Sequence, residues 1–314
     1  MVKYNQKHRG HVCPRIITEC VMISVKEYAY AKVNLYLDVL SKREDGFHEI
    51  KTVMHTVSLS DEVTVSVKRS DRSSVRLTVI GHPKLPTDSR NLAMKAAELF
   101  LESTLICAEV NIKLVKRIPV AAGLAGGSTD AAAVLRALNK AFKRPLTEKR
   151  LLDLAAELGS DVPYCLLGGT ALCLGRGEHI ERLPANLKLD LVIAVANEHV
   201  STPFAYSALD SIYSDFTLAR TDKSEELYSA IEASILSGEL SKTELFNIFE
   251  NAIFPTYNGA EELKKKMLEL GATHSLMSGS GPSVYGIFSD SATAEAARDT
   301  LSTLGLRAYY AKTV

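Results

Sequence analysis

The chain has 314 residues, which at about 100–200 residues per domain suggests two domains. Apolar residues make up 46% and charged residues 24%, and 37 basic side chains balance 37 acidic ones, which excludes wholesale disorder and offers no overall basic excess for nucleic acid or an anionic membrane. No apolar run approaches the roughly 18–20 residues of a membrane span, and five cysteines without CxxC spacing fit a reducing cytoplasm better than a disulfide framework or a zinc ribbon.

Met1 to Val21 carries Lys3, Lys7, Arg9 and Arg15 against one acid, Glu19, and lacks the apolar stretch of a secretory signal. His8, His11, Cys13 and Cys20 match no common zinc spacing. Either Met22 is the working start or residues 1–21 are a loose extension. Tyr28 to Val39 alternates as a strand, with Ala29, Ala31, Val33, Leu35 and Leu37 on one face and Tyr30, Lys32, Asn34 and Tyr36 on the other. A turn follows at Glu44-Asp45-Gly46. Val63, Val65 and Val67, then Val75, Leu77 and Val79, predict a hairpin around Ser70 to Ser73. Asp88 or Ser89 can cap a helix through Leu92, Ala96, Leu99 and Phe100, and Val110, Ile112 and Leu114 mark another strand.

A Gly-rich loop, Pro119 to Gly127, leads into a helix expected from about Ser128. A second helix runs from about Thr147 to Leu158 and stops at Gly159. Pro184 marks a boundary between domains at 22–183 and 184–314. Beyond it come a strand at Leu189–Ala196, a polar but helical stretch at Ser224–Glu244, and a helix at Ala260–Leu270. Strands at Thr273–Met277 and Val284–Phe288, a helix at Ala292–Leu304 and a strand at Leu306–Ala311 close the chain. Simplified, this is β-α-β-β-α-β, the ferredoxin-like order.

The loop is the most informative stretch. Gly123, Gly126 and Gly127 let the backbone approach a ligand closely, and the helix that follows offers unpaired N–H groups and a positive dipole end. With the Ser128 and Thr129 hydroxyls, the natural occupant is a polyphosphate. No Lys follows the last glycine as in a Walker loop, and the spacing is not the Gly-x-Gly-x-x-Gly of a dinucleotide fold.

Pro119-x-x-x-Gly-Leu-x-Gly-Gly-Ser128 resembles the ATP loop of the GHMP kinases. Ala31-Lys-Val-Asn-Leu-Tyr-Leu37, Asp45-Gly-Phe-His48, Gly159-Ser-Asp-Val-Pro163 and Met277-Ser-Gly-Ser-Gly-Pro282 extend the resemblance from Ala29 to the C-terminus. They narrow it to the branch acting on 4-diphosphocytidyl-2-C-methylerythritol. The resemblance implies a two-domain α+β GHMP kinase fold. Its N-terminal domain is like one of a small-subunit ribosomal protein, its C-terminal domain is ferredoxin-like, and ATP and substrate meet in the cleft. It implies phosphoryl transfer from ATP, with Mg²⁺, to the substrate's 2-hydroxyl in the non-mevalonate isoprenoid pathway. The expected partners are these small molecules alone, with no nucleic acid or membrane, in a cytoplasmic monomer or weak homodimer.

The resemblance also implies roles. Lys32 and Asp161 are the catalytic residues, with a Lys32–Asp161 pair holding the carboxylate ionised; read without it, Asp161 is equally a helix cap. Asn34 positions the erythritol part, His48 reads the cytosine edge, and Phe47, where the family often has tyrosine, stacks with Tyr206, beside Thr202. ATP falls to Asn91, Lys116 and the loop itself: Pro119, Val120, Ala121, Ala122, Gly123, Leu124, Ala125, Gly126, Gly127, Ser128 and Thr129. Ser128 is a candidate Mg²⁺ ligand. Two alternatives remain at this point, another GHMP small-molecule kinase and a non-catalytic nucleotide sensor of the same fold.

Overall fold

The computed structural model describes residues 21–184, 187–213, 222–240 and 243–314. Residues 1–20, with the extension and the zinc-spacing question, lie outside the described residues, as do 241–242 of the expected Ser224–Glu244 stretch.

Two long strands organise the first half. β1 (Ile23–Lys42) and β2 (His48–Arg69) pair antiparallel from Ile23↔Val67 to Lys42↔His48, turning at Asp45-Gly46. β2 is long enough to hold two neighbours on its other edge. Its far half pairs with β4 (Ala108–Val115) and its near half with β5 (Thr170–Gly175), which carries β6 (His179–Arg182). β3 (Ser74–Ile80) lies parallel to β4, outside it. The expected hairpin of β2 with β3 therefore does not form: β4 enters between them.

Helices α1 (Leu92–Thr104), α2 (Gly126–Ala141), α3 (Glu148–Leu158) and α4 (Val162–Leu167) cover this sheet. The cap of α1 is Asn91 rather than Asp88 or Ser89: its backbone is extended and its Oδ1 accepts from Ala93 N–H at 3.0 Å. α2 begins two residues earlier than expected, after Ala125 in the left-handed region. Its alanine-rich face lets the helix lie close on β1 and on α1.

In the second half, β7 (Asp190–Val195), β9 (His274–Met277), β10 (Ser283–Phe288) and β11 (Arg307–Lys312) form an antiparallel sheet in the order β11-β7-β10-β9. With α8 (Asn258–Glu269) and α9 (Ser291–Thr303) this is the expected ferredoxin-like arrangement. Between β7 and β9 stand α5 (Thr202–Ile212), α6 (Asp222–Ser237), a two-residue strand β8 (Phe246–Asn247) and α7 (Phe249–Ile253). β8 pairs in parallel with Tyr36–Leu37 of β1, so the second half contributes a strand to the first sheet. No helix among the described residues is long and apolar enough to cross a membrane.

The β1–β2 register shifts between Tyr30 and Lys32 and again between Asn34 and Tyr36. Such irregularities re-aim side chains. The strict alternation expected for Tyr28 to Val39 therefore breaks. Tyr36, placed on the polar face by pattern, is fully buried against Tyr228 and Phe246, while Leu37 joins the core of the second half. The first break also releases the Lys32 N–H from the ladder to bond Leu124 O at 3.3 Å, tying the Gly-rich loop to this strand.

Candidate active site

Where the two sheets meet lies a cavity of about 780 Å³. β1 supplies Lys32 and Asn34, both buried. The Lys32 ammonium donates to Asn34 Oδ1 at 2.7 Å. Burial is the larger influence on Lys32 and lowers its pKa, and the negative charge of Asp161 works against that shift. Lys32 thus feels the charge of Asp161, but the hydrogen bond of its ammonium goes to Asn34, which revises the expected direct pair.

Asp161 stands at the start of α4, between the end of α3 and Pro163. Its backbone is already helical and its side chain makes no cap hydrogen bond, so the carboxylate is not spent on its helix. It faces the cavity instead, beside the Gly175–Gly177 turn. A carboxylate and an ammonium at one wall suit proton transfer from a hydroxyl and stabilisation of charge on a moving group.

Residues Ala121 to Ser128 of the loop line the cavity, ending at the N-terminus of α2, whose first N–H groups have no partner within the helix. Gly123 has φ +75°, and a Cβ there would sit 2.1 Å from Ser278 O. Only glycine lets this loop lie against the β9–β10 connection, where Ser278 Oγ donates to Gly123 O at 3.1 Å. The two Gly-rich stretches are one packed unit at a helix N-terminus, a place where free N–H groups can meet an anion.

The opposite end of the cavity is aromatic. His48 and Tyr206 stack with centroids 4.6 Å apart, Tyr206 meets Phe249 edge-on, and the Arg176 guanidinium lies 4.7 Å from the centre of the Phe47 ring. Thr202 Oγ1 and Ser280 Oγ lie 3.1 Å apart. His48 Nε2 is 2.7 Å from Asp210 Oδ1, and Lys42 Nζ is 2.5 Å from Asp210 Oδ2. His48 and Tyr206 already stack on each other, so this end offers a flat ring the outer face of that stack and the Phe47 ring, with Arg176 and Lys42 as nearby cations.

The cavity thus brings together Lys32, Asn34, Phe47, His48, Asp161, Thr202, Tyr206 and loop residues Ala121, Ala122, Gly123, Leu124, Ala125, Gly126, Gly127 and Ser128. It does not take in Asn91, Lys116, Pro119, Val120 or Thr129. Asn91 is spent on capping α1 and on Pro86 O. Lys116 is drawn beneath the loop into a buried cluster in which its ammonium donates to Asp61 and Asp130. The Thr129 hydroxyl turns back to Gly126 O at 3.0 Å. Sequence reasoning missed Asp210, Arg176, Ser280 and Leu92. Two of them left a signal: Ser280 lies within the Met277–Pro282 motif, and Asp210 lies four residues after Tyr206 and so shares its helix face.

A helix-terminal phosphate loop, a buried Lys beside an uncapped Asp and a cleft between an α/β sheet and a ferredoxin-like sheet define a GHMP-type small-molecule kinase, an enzyme that uses ATP. The models of the GHMP kinases N terminal domain and the GHMP kinases C terminal match residues 91–169 and 229–305. A Gloeobacter violaceus 4-diphosphocytidyl-2-C-methyl-D-erythritol kinase is 41% identical over 93% of this chain and 95% of its own length. The Macrococcus caseolyticus protein of that name is 44% identical over 84% of this chain and 90% of its own. A crystal structure of 4-(cytidine 5'-diphospho)-2C-methyl-D-erythritol kinase superposes with a TM-score of 0.74 at 33% identity, covering 92% of this chain and 99% of that one. The chain belongs to the 4-diphosphocytidyl-2-C-methyl-D-erythritol kinase family.

Proposed function

We propose that this enzyme transfers the γ-phosphoryl group of ATP to the 2-hydroxyl of 4-diphosphocytidyl-2-C-methyl-D-erythritol; the names of its relatives indicate a kinase of that compound. One observation carries the reading: a single cavity holds a phosphate loop, a Lys–Asp pair of functional groups and an aromatic, cationic end. The loop Ala121 to Ser128 and the start of α2 hold the polyphosphate. Phe47, His48 and Tyr206 take the cytosine, with Thr202 beside them. Asn34 keeps the reacting end in register with Lys32. Asp161 accepts the hydroxyl proton as the hydroxyl oxygen bonds the γ-phosphorus and the bond to the β-phosphate oxygen breaks, leaving ADP. Lys32 offsets the negative charge on the phosphoryl oxygens.

Mg²⁺ suits this donor set as an ion carried by the nucleotide. No cluster of three or more His, Cys, Asp or Glu among the described residues is arranged to hold a metal, whereas Ser128 at the start of α2 reaches the cavity. Bound there with the phosphates, it would neutralise their charge. The same reading assigns 22–183 to ATP, 184–314 to a second domain, and the whole to a cytoplasmic monomer or weak homodimer. ADP release from Mg-ATP, compared across 4-diphosphocytidyl-2-C-methyl-D-erythritol, homoserine and mevalonate, tests it. Turnover on the cytidyl alcohol alone is expected. Turnover on another alcohol would discard the cytosine end, and ATP binding without ADP release would make the protein a sensor.

A further inference from the structure

Asn34 is the hub of a buried network that reaches Lys32 from both halves of the chain. The Thr52 hydroxyl donates to Tyr36 O at 2.6 Å, so it can only accept from Asn34 Nδ2, at 2.8 Å. This turns Asn34 Oδ1 towards two donors, Lys32 Nζ at 2.7 Å and Gly279 N–H at 3.0 Å. Gly279 is held in turn by a residue that no part of the phosphoryl-transfer reading uses. Asn247 spends both amide hydrogens on this connection, at 2.7 Å to Met277 O and 2.8 Å to Gly279 O, while its Oδ1 accepts from Phe249 N–H at 3.0 Å. Glu250 fixes the same segment from the side by accepting Met277 N–H at 2.9 Å.

Asn247 is only 3% exposed and sits on β8, the strand that pairs beside Leu37 on the same β1 that carries Lys32. Gly279 has φ +58°, and a Cβ there would lie 3.3 Å from Lys32 Nζ, so its backbone also bounds the space the ammonium occupies. We propose that Asn247 is a positioning residue for Lys32: it sets the Gly279 N–H that aims Asn34 Oδ1, and so places the ammonium, from the second half of the chain. The ammonium is then correctly placed only when both halves are in register. This goes beyond the proposed reaction and rests on it through the role given to Lys32.

The test is a double-mutant cycle on steady-state kinetics with Mg-ATP and the cytidyl alcohol. Asn247→Ala is expected to lower kcat on the order of tenfold to a hundredfold while the KM for ATP stays within about twofold. In a Lys32→Met background the same change is expected to leave the residual kcat unmoved, because its route of action is gone. Thr52→Val, at the other end of the Asn34 amide, is expected to show the same pattern and carries the test if Asn247→Ala does not fold. Equal effects of Asn247→Ala with and without Lys32 would overturn the proposal and leave the reaction intact. Full activity of Lys32→Met alone would overturn the catalytic role of Lys32 and this proposal with it.

Discussion

Replacing Gly123 by alanine is expected to damage nucleotide binding far more than folding. The residue sits at φ +75°, which costs an L-residue about 1 kcal/mol. The new methyl carbon would also stand 2.1 Å from Ser278 O, 3.1 Å from Ser278 C and 3.3 Å from Gly281 N. All three are backbone atoms that cannot rotate away. The loop must then separate from the β9–β10 connection and lose the Ser278 Oγ to Gly123 O hydrogen bond, about another 1 kcal/mol. A total of about 2 kcal/mol, taken up by the phosphate loop, corresponds to roughly 30-fold weaker ATP binding. Calorimetric titration with ATP, alongside thermal unfolding, measures both effects. ATP affinity within about twofold of wild type would refute the packing argument and the assignment of this loop to the phosphates.

Asp161→Asn is expected to lower kcat by about 10²–10⁴-fold with little change in the KM for either substrate, the pattern of a group that works in the transition state; near-normal kcat would remove its role as base. Asp210→Asn is expected to raise the KM for the cytidyl alcohol about tenfold and leave the KM for ATP unchanged, since Asp210 holds His48 and Lys42 at the aromatic end only; an effect on ATP would contradict that placement. Asp130 binds its proton up to about 8 instead of 3.8, because burial is the largest influence and Asp61 repels a second negative charge against the pull of Lys116. A raised value in the folded state means that this stabilisation is complete below the unfolded value and lost as pH rises through about 8. Unfolding free energies from urea titrations between about pH 6 and pH 9 should therefore fall with pH in wild type, by at most about 1.4 kcal/mol per unit up to about 8, and fall less in Asp130→Asn; parallel profiles would contradict the buried-proton account.

What was legible in the sequence was local. Ala121 to Ser128 form their site through backbone freedom and a helix start that follow directly in the chain, so composition and order were enough. Lys32 and Asn34 were legible because two charged or polar residues in an apolar strand need a reason. Tyr36, two residues on, was misplaced because the register shift between Asn34 and Tyr36 depends on how β2 lies beside β1. The β2–β3 hairpin failed for a similar reason: a turn signal cannot show that β4, which begins at Ala108, takes the place between them. Lys116 was expected beside the nucleotide through the resemblance alone, yet the acidic side chains of Asp61 and Asp130 claim it first. Asp210 reaches His48 from the other half of the chain, and Asn247 bears on Lys32 only through Gly279, whose N–H crosses to Asn34 Oδ1, so both depend on the docking of the two halves.

The most direct test of the central claim is the product itself. The account predicts that purified protein, Mg-ATP and 4-diphosphocytidyl-2-C-methyl-D-erythritol yield ADP and one new phosphomonoester signal in the ³¹P spectrum, in equal amounts, and neither with Asp161→Asn on the same timescale. ADP without the phosphomonoester, or full product from Asp161→Asn, would contradict it.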